Sequence, residues 1–294
     1  MLSWWITAAG VVLVALVLRE IFHTLFHPSG QGRLSRMALA GLWRVTRRFG
    51  RRGAPGRLAG PLGVVAVIAT WELGVVLGGA LVYWPHLPDS FSYAAGLEPA
   101  ERVDFLDALY LSLVTTATLG YGDIVPTVGW LRLVAPVQAI IGFALLTGAV
   151  SWIMQIYPAL NRRRTLSIRL AALQRANAGE LAAGEDSAMP AVLLEELSGQ
   201  VAQARVDLTQ NAETYYFRDE GSAALPATLA YAARLADCGR TSPRKDVQTA
   251  AAALHGSLED LGQVLSEQFL STEGGLEDIL DAYAADHGHR QTTN

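Results

Sequence analysis

Residues 115–126 read TTATLGYGDIVP, and this run decides how the chain around it is expected to fold. Gly120 and Gly122 bracket Tyr121, with Thr118 before them and Asp123 after. One tight turn needs one glycine. Two at alternate positions suit a backbone that repeatedly enters conformations closed to other residues. The run is preceded by DFLDALYLSLVTTAT (104–118), where Asp104 can cap a short, strongly apolar helix. About a dozen helical residues cannot cross a bilayer, which takes about 20. A short apolar helix that stops at irregular backbone is a re-entrant element, because such backbone survives at membrane depth only inside protein or along a water-filled path. The carbonyls of residues 118–122 are therefore expected to line such a path.

The rest of the chain supplies the membrane. Of its 294 residues, 51% are hydrophobic and 17% charged, with a mean hydropathy of +0.26, against roughly a quarter charged in soluble domains. The net charge of -4 averages two unlike parts: residues 1–164 carry +6 and residues 165–294 carry -10. Such a split argues for two environments. The single cysteine, Cys238, excludes an internal disulfide framework. Three apolar stretches, about 2–26, 61–84 and 128–157, are long enough to span. For the first, the alternative of a secretory signal peptide is disfavoured by the missing basic n-region and cleavage site.

Arginines set the expected orientation. Arg33, Arg36, Arg44, Arg47, Arg48, Arg51, Arg52 and Arg57 lie between the first two spans with no acid among them, and Arg162, Arg163 and Arg164 follow the third. Basic loops stay cytoplasmic. The N-terminus and TTATLGYGDIVP then face outside and the C-terminal part lies in the cytoplasm. In the connector, Arg44, Arg47, Arg48 and Arg51 share one helical side, opposite Leu39, Leu42, Trp43 and Phe49. That pattern fits a helix resting on anionic lipid head groups, with a solvated linker as the alternative.

With these residues in place, the stretch from about 61 to 158, a third of the chain, resembles the potassium channels with a pore loop between two membrane helices. Its core is the filter signature Thr118-Leu119-Gly120-Tyr121-Gly122-Asp123. The resemblance implies that carbonyls of Thr118, Leu119, Gly120 and Tyr121 coordinate K+ as the transported ion, with the filter closed by Gly122. It implies a homotetramer, since one filter strand cannot surround an ion and no internal repeat supplies a second. It also places a hinge at Gly142, sixteen residues after Pro126, and matches Trp130-Leu131-Arg132 early in the inner helix. Departures stand beside these matches. Leu119 replaces a β-branched residue, Val114 replaces a buried glutamate, and Tyr110 stands where others place a tryptophan. A bond from the Tyr110 hydroxyl to Asp123 is expected to support the filter.

Phe143, Leu146, Val150 and Met154 recur on one helix face. Family register makes Phe143 and Leu146 cavity walls, and Val150, Ser151 and Met154 a cytoplasmic constriction; ordinary helix packing is the alternative. Gly148 and Pro136 offer further bends. Glu72, mid-span, is read as a neutral acid bonded to a neighbouring helix or as a proton sensor. Arg19, His23 and His27 read as a snorkelling edge. Asp89, Glu98 and Glu101 read as solvated loop acids or a cation-concentrating mouth.

The expected fold is thus an all-α membrane protein: three transmembrane helices, a re-entrant pore helix and filter, and a helical cytoplasmic domain. The expected divisions are an N-terminal transmembrane helix (1–28), a basic interfacial connector (29–59), a pore domain (60–160) and an acidic helical domain (161–294). In the last, Pro190 begins a helix with Leu193, Leu197, Val201, Ala204 and Leu208 on one stripe. Further helices are expected near 226–238, 243–271 and 274–286, with a frayed tail carrying His287 and His289. The function expected is potassium conduction across a bacterial plasma membrane, the source being inferred from arginine outnumbering lysine. The alternative is a membrane-anchored scaffold with a silent pore. No constellation for an enzyme, an organic cofactor or nucleic acid emerges.

Overall fold

The computed structural model describes residues 1–26, 32–49, 58–177, 188–219, 224–270 and 272–289. Its helices are α1 (Leu2–Phe26), α2 (Arg33–Phe49), α3 (Ala59–Tyr83), α4 (Phe105–Thr116), α5 (Gly129–Arg175), α6 (Met189–Gln210), α7 (Leu225–Arg240), α8 (Lys245–Leu265) and α9 (Leu276–Asp286). Two short strands, β1 (Phe91–Tyr93) and β2 (Ile124–Pro126), pair antiparallel, with Ser92 opposite Val125. α1, α3 and α5 are long and apolar enough to cross a bilayer, the pattern of a multi-pass membrane protein in contact with lipid. The chain divides into two compact units, residues 1–38 with 64–154, and residues 39–63 with 155–294.

In the first unit α1 packs on α3 through glycines. A Cβ at Gly10 would lie 2.5 Å from the Gly78 carbonyl oxygen, and one at Gly74 would lie 2.6 Å from Val17. Lipid gives helices no hydrophobic reason to associate, so close backbone approach supplies the contact. At one end of this pair the Thr7 hydroxyl lies 3.0 Å from His86 Nε2, and the rings of His86, Trp4 and Trp130 pack on one another. Toward the other end of α1, Thr24 Oγ1 accepts from the Gly32 N–H at 3.2 Å and Glu20 from the Ser35 N–H at 3.2 Å. These bonds occupy amides that the first turn of α2 cannot pair internally. α4 begins as expected, with Asp104 Oδ1 accepting from the Asp107 N–H at 2.9 Å. Tyr83, Phe91, Leu111, Ile124 and Leu131 form a core that fixes α4 and the strand pair against α3 and α5.

The second unit buries Leu194, Leu197 and Val201 of α6 in a bundle in which α6 packs on α7 and α8 and α9 packs on α7 and α8, with Leu229, Leu254, Leu258 and Leu280 also buried. Its helices fall where the sequence pattern put them, with Leu194 rather than Leu193 on the buried stripe and α8 giving way to a wider π turn at Ser266–Leu270. Three features differ from expectation. α5 runs unbroken to Arg175, so the boundary placed at 160/161 falls inside a helix. Its arginines also hold the unit together. Arg162 makes two bonds to Asp207, at 2.8 and 2.7 Å, and the buried Arg163 donates to the Thr214 and Phe217 carbonyls and pairs with Asp219 at 3.0 Å.

The second difference concerns α2. Its apolar side was expected to rest on lipid, yet Leu39 and Trp43 are buried in protein. Trp43 Nε1 donates to Asp286 at 3.0 Å, its ring packs on Tyr215, Tyr216 and His287, and Arg218 lies 4.3 Å above it. A buried indole finds a partner for its N–H, and Asp286, which also accepts from Tyr215 at 2.7 Å, is that partner. Arg51, Arg52, Arg57 and His27 lie outside the described residues, as do the side chains of Arg33, Arg47, Arg48 and Phe49. The third is the tail, expected to fray: His287 is buried, with its two ring nitrogens 2.8 and 3.2 Å from the carbonyls of Tyr215 and Tyr283. No metal-binding group occurs among the described residues.

Burial, with Arg163 nearby, pulls the His287 imidazole down to about 4, opposed by Asp286 and the two carbonyls. The unfolded chain therefore takes up a proton near the ordinary value of about 6.5 that the folded unit refuses. Stability of this unit should be full above about pH 6.5 and fall by on the order of 2–3 kcal/mol as pH drops toward 4. Thermal unfolding followed against pH should show that slope, and His287→Gln should flatten it.

Candidate functional site

The stretch after α4 has an alternating backbone. Thr118, Gly120 and Gly122 have φ of +57°, +49° and +78°, and no positive φ occurs at Leu119 or Tyr121 between them. Alternating hands rotate each peptide plane, so that neighbouring carbonyls, opposed in a strand, face the same way. A Cβ at Gly120 or Gly122 would meet nothing within 4 Å, so the φ angles, not crowding, call for glycine there. Thr118 bears about 1–2 kcal/mol for its left-handed conformation.

The amides at 117–120 are paired, and the carbonyls of 118–122 are not. Ala117 N–H donates to Leu113 O at 2.9 Å, Thr118 N–H to Thr115 O at 3.0 Å, and Leu119 and Gly120 N–H both to Val114 O at 2.9 and 3.3 Å. The last carbonyls of α4, which the helix cannot satisfy itself, are thus met by the run that follows. No donor among the described residues reaches a carbonyl oxygen of residues 118–122, whereas that of Asp123 accepts from the Ala94 N–H at 2.8 Å. Beyond the run, Tyr110 of α4 donates its hydroxyl to Asp123 Oδ2 at 2.7 Å, the contact expected from the sequence. Leu119 and Tyr121 are 57% and 68% exposed in the single chain. A cleft of about 320 Å³ lies alongside, lined by Tyr83, Val114, Thr118, Tyr121, Asp123 and Pro136 among others.

On α5, Phe143, Leu146, Val150, Ser151 and Met154 lie together on an exposed face, opposite buried Leu145, Ala149 and Trp152. Trp152 packs on Trp71 of α3 at 5.3 Å between ring centroids. Gly142, expected as a hinge, has a packing duty: a Cβ there would lie 2.0 Å from the Thr116 carbonyl oxygen. Glu72 is half-buried and has no hydrogen-bond partner among the described residues. The sequence reading missed Tyr83, Ser112, Thr116 and Gln138, which form a buried polar cluster behind the run. Its signal was present. Gln138 is the one amide side chain in the apolar stretch LVAPVQAIIGFALL (133–146), and a polar group in a membrane helix is suspect by default.

Residues 70–157 match the family model described as ion channel. An uncharacterized membrane protein of Bacillus subtilis, YdjJ, is 27% identical over 164 residues, 55% of this chain and 47% of that protein. Two-pore potassium channel 5 of Arabidopsis thaliana is 37% identical over 59 residues, 19% of this chain and 14% of that one. Two pore potassium channel c of Oryza sativa subsp. japonica is 36% identical over 84 residues, 27% of this chain and 18% of that one. The chain spans less than half the length of the curated relatives it matches. No solved structure matches it. The similarity to ion channels supports a transport-related, non-enzymatic protein.

Gly142→Ala should force α4 and α5 apart and lower stability by about 1–3 kcal/mol, the usual penalty of overpacking. Thermal unfolding of the detergent-purified protein measures this; an unchanged midpoint contradicts the close contact.

Proposed function

We propose that four copies of this chain meet on a shared axis to form a potassium-selective channel. The observation that carries the reading is the row of carbonyls at 118–122 left without protein donors by an alternating backbone. Turned toward one axis, the carbonyl oxygens of Thr118, Leu119, Gly120 and Tyr121 from each copy would replace the hydration shell of K+, with the Thr118 hydroxyl adding an oxygen at the inner end. Gly122 closes the run, and the Tyr110–Asp123 bond holds its outer end to α4. A homotetramer follows because one strand offers one side of a coordination shell. The potassium-channel names of two relatives favour K+ as the ion.

The remaining parts take roles around this filter. Residues 60–160 form the pore domain, residues 1–28 an added membrane helix, 29–59 the basic connector and 161–294 a helical domain. In this reading the connector and the helical domain lie in the cytoplasm, near anionic lipid, with the filter toward the outside, which the run of connector arginines favours; the excess of arginine over lysine favours a bacterial plasma membrane. Phe143 and Leu146 wall the cavity, and Val150, Ser151 and Met154 constrict its inner end, closing by dewetting. Gly142 serves as the hinge of the inner helix.

Purified protein in liposomes under an outward K+ gradient tests the reading. Rubidium uptake should exceed sodium uptake by at least about tenfold, the ratio set by about 1.4 kcal/mol of preference. Gly122→Ala should abolish it, and Tyr110→Phe should weaken selectivity or hasten inactivation. Equal rubidium and sodium uptake contradicts selectivity. Absence of flux under every gating condition leaves a membrane-anchored scaffold with a silent pore.

A further inference from the structure

The cluster behind α4 lies at the depth of the spanning helices, and its bonding pattern is fully determined. Ser112 Oγ donates to the Val76 carbonyl of α3 at 2.6 Å, and Thr116 Oγ1 donates to the Ser112 carbonyl at 2.8 Å. A carbonyl only accepts, so each hydroxyl has spent its one proton and can only accept in turn. Gln138 Nε2 reaches both hydroxyl oxygens, at 2.7 and 2.8 Å, and lies 3.3 Å from the Ser112 carbonyl. The amide must therefore present its NH2 to α4, and its oxygen accepts from the Tyr83 hydroxyl of α3 at 2.6 Å. The usual ambiguity of an amide flip does not arise.

Two glycines clear the space this arrangement occupies. A Cβ at Gly79 of α3 would lie 2.3 Å from Gln138 Nε2 and 2.5 Å from Ser112 Oγ, and one at Gly142 would lie 2.0 Å from the Thr116 carbonyl. Tyr83, Ser112, Thr116 and Gln138 are all buried. Thr116 is the last residue of α4, two before Thr118, where the alternating backbone begins. The amide thus holds the end of α4 from which the run departs, and it does so from α5.

We propose that Gln138 is a positioning residue for the filter: its side-chain amide ties the last turn of α4 to α5 and so fixes where the carbonyls of 118–122 stand. This rests on the channel reading above. The tie acts through Thr116 and Ser112, and no ion touches Gln138 itself. An apolar replacement leaves two hydroxyls and one phenol without their partner in a site that water does not supply, so the end of α4 settles elsewhere.

The test compares full-length wild-type protein with Gln138→Leu and Tyr83→Phe in liposomes, measuring rubidium and sodium uptake, with oligomer size and thermal unfolding in parallel. In protein that keeps the wild-type oligomer, Gln138→Leu should lower the rubidium-to-sodium ratio roughly tenfold, the size expected when a buried polar group loses its partner. Tyr83→Phe, which removes one hydroxyl and no packing, should lower it less, and it carries the test alone if Gln138→Leu fails to assemble. A lowered unfolding temperature with an unchanged ratio makes the cluster merely structural and overturns the proposal. Wild-type protein that does not distinguish rubidium from sodium overturns the channel reading instead, before any variant is compared.

Discussion

A peptide carbonyl away from water has to be met by a donor or by something that stands in for one. The long helices α1, α3 and α5 meet this internally. α4 is too short to cross and ends among other elements, so its last carbonyls depend on the amides that follow: Val114 O alone takes two of them, from Leu119 and Gly120. Turning those amides back toward α4 leaves the carbonyls of 118–122 facing the other way with no protein donor among the described residues. The constraint is thereby moved, not removed. In the proposed channel a dehydrated cation completes what the protein leaves open, and K+ would be both the transported ion and part of what makes that backbone tolerable.

Such a run is only as well placed as the helix it springs from. Around α4 the chain repeatedly uses absence of a side chain to gain contact. Gly79 admits Gln138 and Ser112, Gly142 admits the Thr116 carbonyl, Gly74 admits the Val17 side chain, and Gly10 and Gly78 let α1 and α3 touch at the backbone. Hydrophobic burial contributes little between helices surrounded by lipid, so van der Waals contact and buried hydrogen bonds take over. The second unit uses a different chemistry. Its arginines, Asp207, Asp219 and Asp286 form charged and aromatic contacts around a leucine core, and Trp43 of the basic connector is held inside it.

Much of this could be read from the sequence because the relevant signals are local. Asp104 capping α4, glycines at alternate positions and the Tyr110–Asp123 pair depend on spacing along one short stretch. Helix positions in the second unit followed from Pro, Gly and Ser punctuation. What could not be read depends on which elements meet. A helical wheel gives Trp43 an apolar side but does not say whether lipid or Asp286 covers it. Arg162 and Arg163 look like a topology signal until Asp207 and Asp219 are brought to them by α6 and the segment after it. Gly142 sits at a hinge position by register, while its contact with Thr116 comes from a different helix. Gln138 is the plainest case: one polar residue in an apolar run announces that a partner exists, without naming Ser112, Thr116 or Tyr83.

The proposed channel requires ions on the axis toward which the carbonyls of 118–122 would turn. Crystals of the assembled protein grown with thallium in place of potassium would locate them by anomalous scattering. Peaks should line up on a fourfold axis, each ringed by oxygens from four copies of residues 118–121 and suppressed when sodium replaces thallium. Assemblies in which these segments are splayed apart, or an axis carrying no anomalous peak beside the run, would contradict it.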